Sequence, residues 1–348
     1  MKDEMSLSTE DEVFFITGNS RSGTTMMMRI LNNHSQVHSI NEPHFFEKLW
    51  TPDDQLKEVN RAEAFELFAK LLTGQRDGFF ENVSNHREKY RAEIDTILNQ
   101  VGDPYSRMGV YAYFMQYEAK VSGKKIPCEK TPQNVFYINE ILEYFPKAKV
   151  VNMIRDPRGV MLSQKRKWKR KYLGADFITR KEMVRLRVNY HPVTISRLWV
   201  SAIGAVFDFE SNSRVMNLKF EDLLEKPNQC IEAMCSFLEI PFETKMLLVP
   251  HAGSSSEVDK SSELGIRKGR AKSWAEKGLS QSEIHICQAI CGESMKKYGY
   301  PQVEVNPGRL QLALLYASFP FKLGLALLLN LRRMRNIMDT IKRRWKNS

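Results

Sequence analysis

Residues 13–25 read V-F-F-I-T-G-N-S-R-S-G-T-T, and the run MMMRILNNH follows directly. The first stretch is short, apolar and rich in β-formers, the middle is glycine-bounded and hydroxyl-rich, and the last is helix-prone. Strand, glycine loop and helix in immediate succession turn backbone N–H groups and a helix N-terminus toward an anion, with the glycines letting the chain wrap close to it. The spacing approaches the phosphate-loop pattern G-x-x-x-x-G-K-[ST], but Thr24 stands where a nucleotide kinase needs its lysine, and the cation is Arg21. A guanidinium there grips two non-bridging oxygens at once, and Ser22, Thr24 and Thr25 add hydroxyl donors around Gly23. Two glycines alone would equally suit a plain tight turn. The arginine and hydroxyls on the same loop weigh against that reading.

The pattern repeats downstream. A helix over 136–145, Pro146, a strand over 149–154, the turn RDPRG and a helix VMLSQKRKWKRKY form a second unit; a helix over 193–210, a strand over 214–220 and a helix over 228–240 form a third. Helices alternating with short buried strands predict an α/β fold: a P-loop-like parallel sheet flanked by helices on both faces. Residues 53–100 are charged and helix-prone, with Phe65, Phe68 and Leu72 in helical register and no strand among them, which predicts a helical insertion over the sheet on the acceptor side. The serine-rich segment 253–265 reads as a mobile loop. The expected division is a domain over 12–303 and a tail over 304–348.

The 348 residues are 42% hydrophobic and 27% charged, enough to bury a full core and unlike a disordered chain. The net charge of +11 invites a nucleic-acid reading, but more than half of it sits at the end, where seven basic residues from Arg332 to Lys346 face the single Asp339. What remains is mild and suits a small anionic ligand. The run KRKWKRK at 165–171 offers only Trp168 as a stacking surface, too little for a single-strand platform, so it reads as a wall beside an anionic site or a solvated face, and no nucleic-acid partner is expected. Cys128, Cys230, Cys235, Cys287 and Cys291 are odd in number and lack metal-ligand spacing; they read as reduced thiols, and no metal is expected.

The polar start MKDEMSLSTEDE runs straight into the first strand, which predicts a cytoplasmic chain without an N-terminal anchor. The far end differs. Residues 310–331 are almost wholly apolar, and their length just reaches a membrane span. Pro320 and Lys322 in the middle predict instead two shorter helices in the membrane interface, with the basic tail on anionic headgroups, peripheral on the inner face; a span and a helical pair docked on the domain are the alternatives.

At RSGTT the sequence resembles the sulfotransferases that use 3′-phosphoadenosine 5′-phosphosulfate (PAPS), and further matches follow in order over roughly 12–300. INEPHFF is similar to the Glu-Pro of carbohydrate sulfotransferases, and tyrosylprotein sulfotransferases carry a glutamate at this spacing; the resemblance assigns Glu42 as catalytic base. CEKTPQN looks like the segment whose lysine lies against the transferring sulfuryl, implying Lys130 with Arg21 as catalytic. VVNMIRDPRGVMLSQ is similar to the 3′-phosphate strand, turn and helix, implying Arg155 and Ser163 as ligands of the 3′-phosphate. GIRKGRAKSW resembles the late element that closes on the same phosphate, implying Arg267, Lys268 and Gly269, although the longer glycine pattern of the cytosolic enzymes is missing.

The residues carry part of this unaided. Glu42 returns to the top of the sheet after the loop helix, where crevices bind ligands and a carboxylate can take a hydroxyl proton; His44 is the rival base. Lys130 falls at a strand end, where a fixed cation balances charge on a departing phosphate. Ser163 follows Arg155 by about two helical turns, although Arg155 could simply pair with Asp156 or Glu129. The combined expectation is metal-free, in-line sulfuryl transfer from PAPS to a hydroxyl, foremost on a glycan or glycolipid, with tyrosyl peptide and small alcohol as alternatives. Acceptor choice is expected from 53–100 and from the stretch His191 to Trp199. The rivals are a phosphate-loop kinase and a membrane-associated nucleotide- or polyanion-binding protein without catalysis.

Overall fold

The computed structural model describes residues 11–55, 57–78, 83–101, 105–255, 257–267, 271–276, 278–330 and 343. Five parallel strands form the central sheet: β1 (Phe14–Gly18), β2 (Val37–Asn41), β3 (Ile126–Lys130), β4 (Lys149–Ile154) and β5 (Val215–Lys219), in the order β2-β3-β1-β4-β5. Every residue of β1 and β3 is buried, as expected where both faces are covered and neither needs a polar side. Phe15 packs into one core with Ile40 and Val150, whereas Phe14 and Ile16 point into the other with Val151 and Met153, the period-two alternation of a strand.

The first core is covered by α2 (Arg61–Thr73), α3 (Val83–Val101), α4 (Arg107–Val121) and α5 (Ile138–Tyr144). Phe68 and Leu72 of α2 are buried and Phe65 is partly so, which bears out the helical register read in this stretch. A strand does interrupt it: Glu58–Val59 pairs antiparallel with Tyr105–Ser106, a two-residue ladder too short to leave a sequence pattern. The second core is covered by α1 (Thr24–Asn32) and, later in the chain, by two further helices described below.

Two expected helices are broken up. Pro132 opens a 3-10 turn over Pro132–Tyr137, so α5 begins only at Ile138. The helix after the RDPRG turn, α6 (Pro157–Lys165), stops at Lys165, and the basic run continues as a 3-10 turn over Lys167–Tyr172. Packed cations at successive positions of a continuous helix would repel across each turn. Next come α7 (Arg180–Val188) and α8 (Pro192–Phe207), and then α9 (Phe220–Glu225) and α10 (Pro227–Leu238), which complete the second core. α11 (Gln281–Lys297) packs against α8 and α6. The segment expected to be a mobile loop instead forms a strand, Lys260–Leu264, paired antiparallel with Pro250–His251.

The apolar stretch near the C-terminus is one helix, α12 (Arg309–Asn330), with Pro320 inside it, not two. Contacts on both sides of the proline hold the helix against the domain. The His191 ring meets the Leu315 carbonyl at 3.1 Å before it, and Lys322 donates to the Tyr190 carbonyl at 3.3 Å after it.

Candidate active site

All five strands end on one edge, and the phosphate loop leaves β1 in the middle of it. β2 and β3 lie to one side and β4 and β5 to the other, the arrangement that opens a crevice at the strand ends. Gly18 takes φ 138° because its Cα approaches the Met153 carbonyl so closely that a β-carbon would sit 2.4 Å from that oxygen. Gly23, at φ 92°, caps α1 over the Phe220 ring, where a β-carbon would lie 2.3 Å from the ring edge. Arg21 itself is in the left-handed region at φ 75°, a strained setting for a side-chain-bearing residue.

That backbone turns the Arg21 side chain away from the strand and across to α6. Its Nε donates to Ser163 Oγ at 2.9 Å, and its Nη2 donates to Ser255 Oγ at 2.7 Å and to the Gly253 carbonyl at 3.1 Å. Arg155 closes the group by donating to the Arg21 carbonyl at 2.9 Å while its guanidinium stacks 4.5 Å from the Phe220 ring centre. Gly159 leaves room for it, since a β-carbon there would touch Arg155 Nε at 3.0 Å. Thus Arg21, from one motif, and Arg155 and Ser163, from another, converge in space.

The electrostatics are those of an anion site. Burial lowers the basicity of Arg21 to about 10, with Arg170 and Arg155 adding repulsion. Arg155 is lowered by burial as well. Lys167, from the basic run, is pushed down to about 8 by burial and then by Arg21, which places it in the wall of this group. Two donors in the cluster, Ser22 Oγ and Arg155 Nε, are buried and make no hydrogen bond within the protein. A dianionic phosphate would relieve the repulsion and satisfy both donors, so the residues fit a PAPS-type ligand.

On the other side of β1, Lys130 ends β3 and Glu42 follows β2, and the two side chains meet at 2.5 Å. The Glu42 N–H also donates to the Lys130 carbonyl at 2.8 Å. Burial acts to raise the Glu42 pKa, but Lys130, then His44 and Lys167, outweigh it and hold the carboxyl below its ordinary value, so it is ionised at neutral pH. The rival base His44 is adjacent, 3.7 Å from Glu42 and 3.2 Å from Glu47. Behind the pair, Glu129 is buried, accepts from Thr131 and Asn134, and is pushed up to about 8 by burial.

A small cleft of about 70 Å³ runs beside the loop, lined by Gly18–Ser20, by Gln133 and Phe136 after β3, and by Ile195, Leu198 and Ala202 of α8. Gln133 Oε1 is buried there without a hydrogen-bond partner. The stretch His191 to Trp199 was expected to matter for the acceptor, and two of its residues line the cleft; none of the described residues from 53–100 does.

Of the last three expected ligands, Arg267 stands apart from the group. Arg267 is directed to Glu257 at 2.9 Å, to Glu263 and to His251, because the strand Lys260–Leu264 brings carboxylates to it. Lys268 and Gly269 lie outside the described residues. Ser255 is the contact that reading the sequence missed; one serine among several in a polar stretch carries no signal of its own.

A model of the sulfotransferase family matches residues 14–244, about two thirds of the chain and the whole of the strand-edge site described above except Gly253 and Ser255. The chain belongs to the sulfotransferase family. Among curated relatives of this sulfotransferase, an uncharacterized protein of Aquifex aeolicus is 24% identical over 83% of the chain and 33% of its own length. A putative protein-tyrosine sulfotransferase of Caenorhabditis briggsae is 25% identical over 69% of the chain and 70% of its own length. Carbohydrate sulfotransferase 3 of Mus musculus is 26% identical over 44% of the chain and 34% of its own length. The match thus spans about a third of the Aquifex and mouse proteins. The sulfotransferase domain from the Curacin biosynthetic pathway is a similar solved structure, 20% identical with a TM-score of 0.49 over 84% of this chain and 99% of that one.

Proposed function

We propose that this sulfotransferase moves a sulfuryl group from PAPS to an acceptor hydroxyl by direct in-line displacement, with Glu42 as the base. The observation that carries this is the 2.5 Å contact of Glu42 with Lys130 at the strand edge, across the loop from the Arg21, Arg155 and Ser163 group. The acceptor oxygen attacks sulfur as the bond from sulfur to the bridging phosphate oxygen breaks, and the acceptor proton passes to Glu42. Lys130 balances charge building on that bridging oxygen. Arg155, Ser163 and Arg21 hold the 3′-phosphate, while the loop hydroxyls and the first N–H groups of α1 hold the 5′-phosphate. Arg21 is therefore given to the 3′-phosphate rather than to the sulfuryl, because its guanidinium reaches Ser163. Positioning and electrostatics supply most of the rate, as in phosphoryl transfer.

For the acceptor we favour a sugar hydroxyl on a glycan or glycolipid, on the Glu-Pro at Glu42 and the partial match to a carbohydrate sulfotransferase. The cleft supports it with the open amide of Gln133 against an apolar α8 wall. A tyrosyl acceptor is the second reading, favoured by the longer match to the Caenorhabditis relative. We place the enzyme on a membrane surface through α12, whose outward side chains are apolar.

Replacing Glu42 tests the reaction. Glu42→Gln should lower turnover with PAPS by about 10²- to 10⁴-fold, the range for a positioned base, and leave affinity for 3′-phosphoadenosine 5′-phosphate nearly unchanged. Retained turnover would remove the base assignment. Absence of turnover in the unaltered protein with every hydroxyl class would favour a binding protein.

A further inference from the structure

α12 is docked along its whole length yet buries none of its residues fully. Ser282 of α11 donates to Gln311 at 3.0 Å, the His191 ring meets Phe319 at 5.2 Å between centroids, and Arg185 donates to Asn330 at 2.6 Å. Leu312, Leu315, Ser318, Phe319, Ala326 and Asn330 are the half-buried positions, a stripe with helical spacing that faces α7 and α8. The opposite side is almost entirely apolar: Leu310, Leu314, Phe321 and Leu328 are each more than 60% exposed. From residue 309 onward the chain carries nine basic side chains and one acidic one.

The placement relative to the cleft is what gives this surface a role. α12 packs against α8, and α8 supplies Ile195, Leu198 and Ala202 to the cleft wall. Arg343 returns to the opposite wall: it donates to the carbonyl of the cleft residue Phe136 at 3.2 Å, pairs with Glu140 at 2.6 Å and lies 4.4 Å from the Tyr137 ring centre. The C-terminal segment therefore touches both walls of the cleft.

We propose that the outer face of α12 docks on an anionic phospholipid bilayer and holds the cleft at the membrane surface, so that the acceptor is a membrane-embedded amphiphile whose hydroxyl headgroup enters the cleft. This rests on the sulfuryl-transfer reading for the acceptor, but not for the docking. A bilayer suits the face better than another protein because an apolar helix face that begins at Arg309 and carries Lys322, in a segment whose sequence continues with seven basic residues and one acidic one, matches the layered chemistry of acyl chains beneath anionic headgroups. The helix lies in the membrane plane and does not cross it: crossing would strip away the contacts from Gln311 to Asn330 and bury Lys322.

The test is sedimentation of the full chain with phosphatidylcholine vesicles, with and without phosphatidylglycerol, beside the variant Leu314→Glu/Phe321→Glu/Leu328→Glu. The unaltered protein should co-sediment with the anionic vesicles in a salt-sensitive manner. The variant should partition roughly a thousandfold less, since each of its three apolar side chains kept out of an apolar phase forfeits about tenfold. Binding of 3′-phosphoadenosine 5′-phosphate, measured on both proteins, should be equal, which separates loss of docking from loss of the fold and from failure of the sulfotransferase reading. Transfer to a vesicle-borne glycolipid should fall in the variant while transfer to its soluble headgroup holds. Equal vesicle binding by the two proteins, no binding by either, or light scattering showing a dimer that the variant dissolves would each overturn the proposal.

Discussion

At the residue scale the phosphate cluster is a set of cations that disfavour one another until an anion arrives. Arg21, Arg155 and Lys167 are all depressed by burial, Arg21 and Lys167 by neighbouring cations as well, and Lys167 reaches about 8. A bound dianion favours the charged lysine, so binding above that pH must take up a proton. Affinity for 3′-phosphoadenosine 5′-phosphate should therefore be level below pH 8 and decline as pH rises past it. Calorimetric titration across this range checks the sign, and Lys167→Met should flatten the profile. A profile that rises with pH would mean that a different group controls binding. On the other side of the strand edge Glu42 has the opposite character. Lys130 and His44 keep it ionised despite burial, so it stands ready to accept a proton at neutral pH.

At the element scale, the loop between β1 and α1 fixes the relation between these two groups. Gly23 is its tightest point, left-handed at φ 92° with the Phe220 ring where a β-carbon would go. Gly23→Ala should cost about 1–3 kcal/mol from backbone strain, more if the Phe220 ring cannot shift, and that ring also carries the Arg155 guanidinium. Thermal melting measures the first effect, and weakened nucleotide binding reports the second. An alanine variant with unchanged melting and binding would show that the loop has slack that the close contact denies. Much of this element was legible in the sequence, because glycine, arginine and hydroxyl side chains after an apolar run have few other uses. The units around β4 and β5 were legible for the same reason, since buried parallel strands leave continuous apolar runs. The pairing of Glu58–Val59 with Tyr105–Ser106 and the strand at Lys260–Leu264 were not, because two-residue ladders and exposed strands have no apolar alternation to read. The single helix through Pro320 defied its local signal because tertiary contacts on either side hold it.

At the scale of the whole molecule, the site is assembled from segments far apart in the chain. Arg21, Ser163 and Ser255 are separated by well over a hundred residues in the first step and about ninety in the second, yet one guanidinium binds both serines. Folding of the entire sheet is what assembles this anion site, and this is why Ser255 had no local signature while Arg155, just after β4, and Ser163, in the helix that follows, did. The charge is similarly divided: a compact cationic group at the strand edge, and, in the sequence, a basic stretch that follows the apolar α12. The inner group defines the function, and it is tested most directly by calorimetric titration with 3′-phosphoadenosine 5′-phosphate, compared with ATP plus magnesium and repeated on Arg155→Ala. Tight, metal-independent binding that is absent for ATP and lost in the variant is the predicted result; binding of ATP instead, or of neither nucleotide, would contradict the assignment of this site to PAPS.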